Sequence, residues 1–303
     1  MALVKPLLVH LFLCRVHGFW GEATSISEEE LVEIEARLKI LSKPAIKTFV
    51  TKEGDTIDCV PIHKQPAFDH PLLKDHKIEL EPNLSLFEKD RTPTNAKSAN
   101  VKLREPCPDG TVSQQLNGDT ISRLFTFWTG DGSRNGCYNV QCPGFVQRDR
   151  EVTTNYPFYD TSIIGRKRSE LWVHIEQNLY SGNWWLIRKD DPPVKVGYWP
   201  KERFDYLRNG SLHAAWGGIA QEGSDGYYPP MGSGRFPDND HSHAAYFRNM
   251  YWVYRYTAQF PPSDKIEEAV DKPNLYGLKN DGYLKDMEST ISYGGPGGYY
   301  RAQ

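Results

Sequence analysis

The sequence lacks an excess of positive charge, a feature of most proteins that bind nucleic acid. Its 303 residues include 36 Lys and Arg against 39 Asp and Glu, which gives a formal net charge of −3 at pH 7. Binding to phosphate backbones generally requires a basic patch or stripe. We find no internal repeat either, so solenoid and propeller architectures are not indicated. The composition favours a globular protein without a nucleic-acid partner.

Short motifs that mark several large enzyme classes are also absent. The sequence contains no GxSxG, HExxH, P-loop or dinucleotide-binding pattern, which argues against the enzyme classes that depend on them. The stretch DNDHSHAAY offers Asp238, Asp240, His241 and His243, and alternating histidines can be metal ligands on a strand. No further group of ligands supports such a site, so we interpret the stretch as a polar turn. We expect neither a metal nor another cofactor.

Outside the N-terminus, no apolar run is long enough to span a membrane. The N-terminal stretch MALVKPLLVHLFLCRVHGFWGEA has a basic residue, Lys5, then an apolar run over residues 7–14, and then small residues. This pattern predicts a signal peptide over residues 1–21. The alternative is a buried N-terminal helix. We expect a protein of the secretory pathway, extracellular or vacuolar, with no membrane partner.

Cysteine is sparse, with five residues in the chain. Cys14 lies in the predicted signal peptide, so an even number of four remains. Cys137 and Cys142 in GCYNVQCPG are close enough to close a small loop in an oxidising compartment, which leaves Cys59 and Cys107 to pair with each other. The spacings match no CxxC zinc motif. The sequence therefore predicts two disulfides.

Two sequons for N-glycosylation fit the same compartment. They are Asn83-Leu84-Ser85 and Asn209-Gly210-Ser211, and both have the required N-x-S/T pattern. We therefore predict glycosylation at Asn83 and Asn209.

The N-terminal part of the chain contains one clear helix pattern. In SISEEELVEIEARLKILSKP, Ser27 and Glu30 form a capping box, an apolar stripe runs from Leu31 to Leu41, and Pro44 ends the helix. From there to about residue 105 the chain is polar and interrupted by prolines. We interpret residues 22–105 as an extended segment and linker that cannot build its own core.

The rest of the chain, residues 106–303, has the texture of short strands separated by Gly, Pro, Asn or Asp. In ELWVHIEQ, for example, Trp172, His174 and Glu176 fall on one face and the apolar residues between them on the other. Successive strands without intervening helices favour an antiparallel β-sandwich. The predicted strands are RLFTFWT, ELWVHIEQ, GNWWLIRKD, VKVGYWP, SLHAAWGG and AYFRNMYWVYRYT.

An ordered set of motifs resembles the plant neprosin family. KTFVTKEGDTIDCVPIHKQPAFDHPLLKDHKI is similar to the family's activation peptide, and the other blocks follow in the family's order. Those blocks are CPDGTV, RLFTFWTGDG, GCYNVQCPGFVQ, SGNWWL, VGYWP, WGG, PPMGSGRFP and YFRN. The resemblance covers nearly the whole chain from about residue 34. It implies that residues 22–105 are an activation propeptide with a linker and that residues 106–303 are a β-sandwich peptidase domain.

The resemblance also implies an activity. The family's enzymes are glutamic endopeptidases that need no metal, work at acid pH and cut near proline, so the expected partner is a proline-rich polypeptide. Such chemistry requires two carboxyl groups, one to activate water as a base and one to act as an acid. Two close carboxyls push their pKa values apart, so that one keeps its proton.

Both family glutamates are unmatched in this chain. One belongs to a WGGE block, which here reads Trp216-Gly217-Gly218-Ile219, and the other to an EAGW block, which does not occur. Glu222 lies three positions after Ile219 and would face the opposite side of a strand. Glu176 and Glu222 are the remaining substitute candidates. We also expect the shortened segment between Val112 and Asn117 to leave a sheet incomplete, with an exposed or substituted edge.

Four aromatic residues are candidates for substrate binding: Trp184, Trp185, Trp216 and Tyr198. Their rings could stack on a proline or a sugar, although packing in the sandwich core is the alternative. Adjacent residues in a strand point to opposite faces, so Trp184 and Trp185 should differ in environment. We expect a secreted neprosin-like protein with lost or impaired catalysis, and the alternative is a non-catalytic β-sandwich that binds peptides or glycans.

Overall fold

The structure is a computed structural model that describes residues 10–12, 32, 35, 42–84, 97–98, 102–115, 121–132, 136–190, 192–254, 257–259 and 266–300. The fold is mainly antiparallel β and sandwich-like, as the sequence predicts. Its strands are β1 (His10–Phe12), β2 (Lys47–Val50), β3 (Thr56–Pro61), β4 (Lys97–Ser98), β5 (Thr111–Gln115), β6 (Phe125–Thr129), β7 (Gly136–Tyr138), β8 (Val146–Gln147), β9 (Ser169–Glu170), β10 (Val173–Gln177), β11 (Trp184–Arg188), β12 (Val194–Trp199), β13 (Tyr227–Tyr228), β14 (Ala245–Phe247), β15 (Trp252–Tyr254), β16 (Thr257–Gln259), β17 (Gly277–Leu284), β18 (Glu288–Gly294) and β19 (Gly298–Tyr299). Short 3-10 helices cover Ile62–Lys64, Pro66–Asp69, Pro71–Leu73 and Lys201–Arg203. Within these ranges, no helix is long and apolar enough to cross a membrane.

The largest described sheet has four antiparallel strands in the order β10-β11-β12-β8. A tight turn joins β10 to β11, and the backbone N–H of Asn178 donates to the carbonyl of Asn183 at 2.7 Å. Gly182 in this turn has a φ of 78°, a left-handed conformation that glycine adopts without steric cost. The alternation in WWLIR turns one face of the sheet towards the main core and the other towards the N-terminal segment.

The main core lies between this sheet and strands β3 and β6. Its buried side chains come from both halves of the chain and include Ile57, Cys59, Leu103, Leu124, Trp128, Leu186, Val196 and Trp199. The N-terminal segment therefore shares the core of the sandwich, in agreement with its lack of an apolar pattern of its own. The sequence missed its hairpin, however, because β2 and β3 pair around a turn at Gly54, whose φ is 93°.

Both predicted disulfides are confirmed. The Cα atoms of Cys59 and Cys107 are 5.5 Å apart, and those of Cys137 and Cys142 are 6.0 Å apart. The first bridge is reinforced by the antiparallel pairing of β3 with β5. Any cut of the backbone between Cys59 and Cys107 therefore leaves two chains that remain covalently joined.

A second buried polar cluster lies beside the sheet formed by β14, β18 and β17. The carboxylate of Glu170 accepts hydrogen bonds from Arg248 Nε at 2.8 Å, from Arg248 Nη2 at 2.9 Å and from the Tyr246 hydroxyl at 2.5 Å. The Arg248 guanidinium also lies 4.3 Å from the centroid of the Trp172 ring. The side chains of Glu170 and Arg248 are only 9% and 5% exposed, so this is a buried ion pair that links β9 to the chain after β14.

The strand predicted in SLHAAWGG is wrong. Residues 213–223 have no strand structure, and Ile219 is exposed. The physical reason lies in Gly217, Gly218 and Gly223, because glycine weakens an extended ladder by its backbone entropy and its lack of a packing side chain. The argument that Glu222 faces away from Ile219 across a strand therefore does not apply.

Two N-terminal predictions fall largely outside the described residues. Of the helix predicted from Ser27 to Leu41, the structure describes Val32 and Glu35, and both are helical. Of the predicted signal peptide it describes β1, which pairs antiparallel with β6 and forms one edge of the sheet β1-β6-β7. This edge agrees with the expectation that a sheet is incomplete and that another segment substitutes at its edge.

Candidate functional site

One face of the four-stranded sheet carries an aromatic and apolar surface, which we call the aromatic face. Its buried side chains are Val146, Trp185, Ile187 and Tyr198. Tyr198 stands directly between Trp185 and Val146 in the strand register, and the ring centroids of Trp185 and Tyr198 are 4.7 Å apart. Trp185 therefore packs on this face, and Tyr198 turns its hydroxyl away from the main core.

A segment of the N-terminal part covers the aromatic face. Ala67, Phe68 and Leu84 pack against it. The side-chain amide of Gln65 pairs with the backbone of Gln147 on the edge strand β8, accepting from its N–H at 2.7 Å and donating to its carbonyl at 3.2 Å. An unpaired edge strand is otherwise open to pairing with another chain. Residues 65–84 thus close both the face and its edge.

The Tyr198 hydroxyl is bonded to this covering segment. Its oxygen accepts the backbone N–H of Glu79 at 2.9 Å, and it lies 2.9 Å from Nε2 of His76. Burial raises the pKa of Tyr198 to about 12, so the phenol keeps its proton and can donate it to an unprotonated His76 Nε2. This pair of bonds holds the segment across the middle of the sheet.

The carboxylate of Glu79 is bound at the β10–β11 turn. Its Oε2 accepts a hydrogen bond from the side-chain amide of Asn183 at 2.5 Å, and its Oε1 accepts one from the amide of Asn178. Both asparagines are 4% exposed. Sequence reasoning missed them, because asparagine in a hairpin connection is typical of a turn and carries no further signal.

Glu176, a substitute candidate for the missing acid, lies next to Trp185 in the sheet register. Its side chain is 4% exposed and its Oε2 lies 2.7 Å from Nε2 of His174. The other ring nitrogen of His174 is 3.1 Å from the Tyr251 hydroxyl, which Lys189 also contacts. The carboxylate therefore belongs to a buried hydrogen-bonded chain that orients a histidine.

Glu222, the other candidate, lies in a different environment. It is exposed, and its Oε2 accepts a hydrogen bond from the Tyr228 hydroxyl at 2.9 Å. The contacts of Glu222 and of Glu176 are thus with different residues, and Ile219 is 55% exposed between these elements of the chain. These contacts supply no partner acid for either carboxylate.

The remaining predicted site residues occupy varied positions. Trp184 is partly buried on the core side and donates its indole N–H to the carbonyl of Leu207 at 2.8 Å, while Trp216 is half-buried in the irregular segment. Asn83 and Asn209 are both exposed, so their glycosylation stays a prediction.

The DNDHSHAAY stretch forms local ion pairs. His243 Nδ1 lies 2.9 Å from Asp238, and His241 lies 3.2 Å from Asp281. Across the residues that the structure describes, no group of three or more His, Cys, Asp or Glu side chains is arranged to hold a metal ion.

Two histidines of the covering segment make its docking sensitive to acid. Burial lowers the pKa of His76, although Glu202 and Glu79 act in the opposite sense, and burial together with the Arg203 guanidinium lowers the pKa of His70. The folded-state values lie below the unfolded value of about 6.5, so the unfolded chain binds more protons. Stability therefore falls as the pH drops through this range.

We expect the melting temperature to fall between about pH 7.5 and about pH 5.5, and to fall less in the double variant His70→Asn, His76→Gln. Differential scanning fluorimetry at the two pH values measures both. His63 is exposed, so His63→Gln is the matched control and should keep the wild-type drop. An equal drop in the double variant would contradict the assignment to His70 and His76.

Comparison with known families agrees with the motifs. A family model described as Neprosin matches residues 110–296, and one described as Neprosin activation peptide matches residues 48–122. The first match spans more than half of the chain. The second includes residues 65–84, which cover the aromatic face.

Proposed function

Because the chain belongs to the neprosin family, we propose that it is a secreted peptidase homologue that binds extended peptides on the aromatic face and has lost most or all peptide-bond hydrolysis. One observation carries the binding: residues 65–84 of the same chain already lie on that face with backbone and side-chain hydrogen bonds to the sheet. The expected ligand is a polypeptide, proline-rich if the family's preference holds.

The loss of hydrolysis follows from the carboxylates. General acid–base catalysis by a glutamate pair needs both groups within reach of one substrate bond. Ile219 occupies the position of one family glutamate, and the block that carries the other is missing. Glu176 is bound to His174 and Glu222 to Tyr228. Secretion is supported by the two disulfides, which form in oxidising compartments.

The chain is expected to cleave proline-containing peptides at acid pH no faster than the uncatalysed background. Each positioned acid or base contributes about 10²–10⁴-fold, and groups that act as a unit lose most of the rate together. Mass spectrometry of a proline-containing peptide after incubation with the chain measures the cleavage. The variant Ile219→Glu should also be inactive, because it adds one acid without its partner.

Glu176→Gln and Glu222→Gln test the substitute acids. Robust peptidase activity in the unmodified chain that either substitution abolishes would overturn the proposed loss and identify that residue as the substitute. Activity that survives both substitutions would point to a contaminating peptidase, which a preparation carrying both substitutions then reveals.

A further inference from the structure

The β10–β11 turn contains a preformed pocket for an anion. Asn178 and Asn183 stand at the two ends of the turn and are tied together by the backbone bond between them. Their side chains are held in place by the surrounding backbone, since both are 96% buried or nearly so at 4% exposure. The pocket therefore belongs to the rigid sheet and does not depend on the covering segment for its shape.

The orientation of each amide is fixed by a second hydrogen bond. The carbonyl oxygen of Asn178 accepts the backbone N–H of Tyr180 at 2.9 Å, and that of Asn183 accepts the backbone N–H of Lys201 at 3.1 Å. Each side chain must therefore point its NH₂ group into the pocket. Two converging donors match the two oxygens of a carboxylate and repel a cation or another amide NH₂ group.

We propose that this pocket is a subsite for the carboxylate of a glutamate in an extended peptide ligand, and that Glu79 occupies it in cis. The proposal rests on the proposed peptide-binding function and names its ligand class. The backbone beside the glutamate is recognised as well: the N–H of Glu79 donates to Tyr198 at 2.9 Å, and the carbonyl of Asn83 accepts from Leu179 N–H at 3.5 Å. A ligand in trans would repeat these contacts.

The pocket discriminates against close relatives of glutamate. Glutamine would place one NH₂ group against an NH₂ donor and leave a buried donor without an acceptor, which costs more than the lost bond alone. Aspartate carries the same charge, but its side chain is one methylene shorter and cannot reach both amides from the same backbone position. The subsite therefore selects glutamate by charge and by length.

The test uses the full chain with the pocket vacated. The protein carries Glu79→Ala and one specific protease site between Leu84 and Lys97, and it is cut there; non-reducing gels verify that Cys59–Cys107 still joins the two pieces. The probes are a fluorescein-labelled peptide of the sequence KDHKIELEPNL, which matches residues 74–84, and the same peptide with Glu79→Gln. Fluorescence anisotropy gives both dissociation constants.

We expect the glutamate peptide to bind at least about tenfold more tightly than the glutamine peptide, as hydrogen bonds to a charged group are the strong ones. In Asn178→Asp the side chain keeps the acceptor for Tyr180 but presents an anionic oxygen to the ligand. This variant should reverse the order and favour the glutamine peptide. Circular dichroism verifies that it folds.

The outcomes separate the two proposals. Equal binding of both peptides would overturn the glutamate subsite and leave peptide binding on the aromatic face standing. Failure of both peptides to bind would overturn peptide binding and the subsite with it. Tighter glutamate binding that Asn178→Asp leaves unchanged would also overturn the subsite, because the preference would then arise elsewhere.

Discussion

Trp185→Ala is expected to lower the free energy of unfolding by about 3–5 kcal/mol, the range for truncating a buried aromatic side chain. Trp185 is 0% exposed and packs against Tyr198, and the covering segment leaves no room for water to replace it. The loss therefore combines the lost burial with a cavity between the sheet and residues 65–84. Urea denaturation followed by circular dichroism measures it.

Tyr180→Ala is the matched control for Trp185. Tyr180 lies on the adjoining β10–β11 turn and is 82% exposed, so its truncation should change stability by less than about 0.5 kcal/mol. A Trp185→Ala loss as small as that of the control would mean that the covering segment does not hold Trp185, and that the side chain is already free for a ligand.

Glu170→Gln is expected to destabilise the fold by about 3–5 kcal/mol, the usual cost of breaking a buried ion pair by removing one charge. The substitution keeps the size of the side chain but leaves the Arg248 guanidinium, 5% exposed, without its counter-charge. Thermal or urea denaturation measures the loss. Adding Arg248→Met should recover most of it, since replacing both members of a buried pair by apolar groups is often neutral.

Glu105→Gln is the exposed counterpart. Glu105 pairs with Lys47 at a site where the side chains are 58% and 40% exposed, and such pairs contribute about 0–1 kcal/mol. A loss for Glu170→Gln no larger than that of Glu105→Gln would show that the Glu170–Arg248 pair contributes nothing to stability.

The same pair sets an acid dependence. Burial opposes ionisation of Glu170, but the hydrogen bonds from Arg248, Tyr246 and Trp172 outweigh it and hold the pKa of this carboxyl below its usual range. Its stabilising contribution is therefore present above the unfolded pKa of about 4.3 and is lost as the pH falls through the folded-state pKa. The Glu170→Gln variant lacks this part of the acid-induced loss.

The parts of the fold that alternation specifies were predictable from the sequence. ELWVHIEQ and GNWWLIRKD place Glu176 and Trp185 on the face opposite the main core because the side-chain period of a strand is two. The two disulfides followed from counting and spacing. Alternation could not say which face meets solvent, and the contacts of the covering segment with Trp185 depend on residues more than a hundred positions away.

The parts that depend on three-dimensional partners were not predictable. SLHAAWGG has the composition of a strand, yet its glycines leave it irregular, and nothing local distinguishes it from SGNWWL. The carboxylate pocket needs Asn178, Asn183 and a distant backbone N–H at Lys201 to fix its donors. Sequence patterns detect periodicity and turns, but not the orientation of an amide.

The Cys59–Cys107 bridge changes the meaning of a cut in the linker. A severed segment that stays tethered acts as an internal competitor, and short flexible tethers give effective concentrations of about the millimolar range. A free peptide must exceed the tethered Glu79 segment by that margin before it occupies the face. Proteolysis alone would thus set a concentration threshold for ligands, and reduction of one disulfide would remove it.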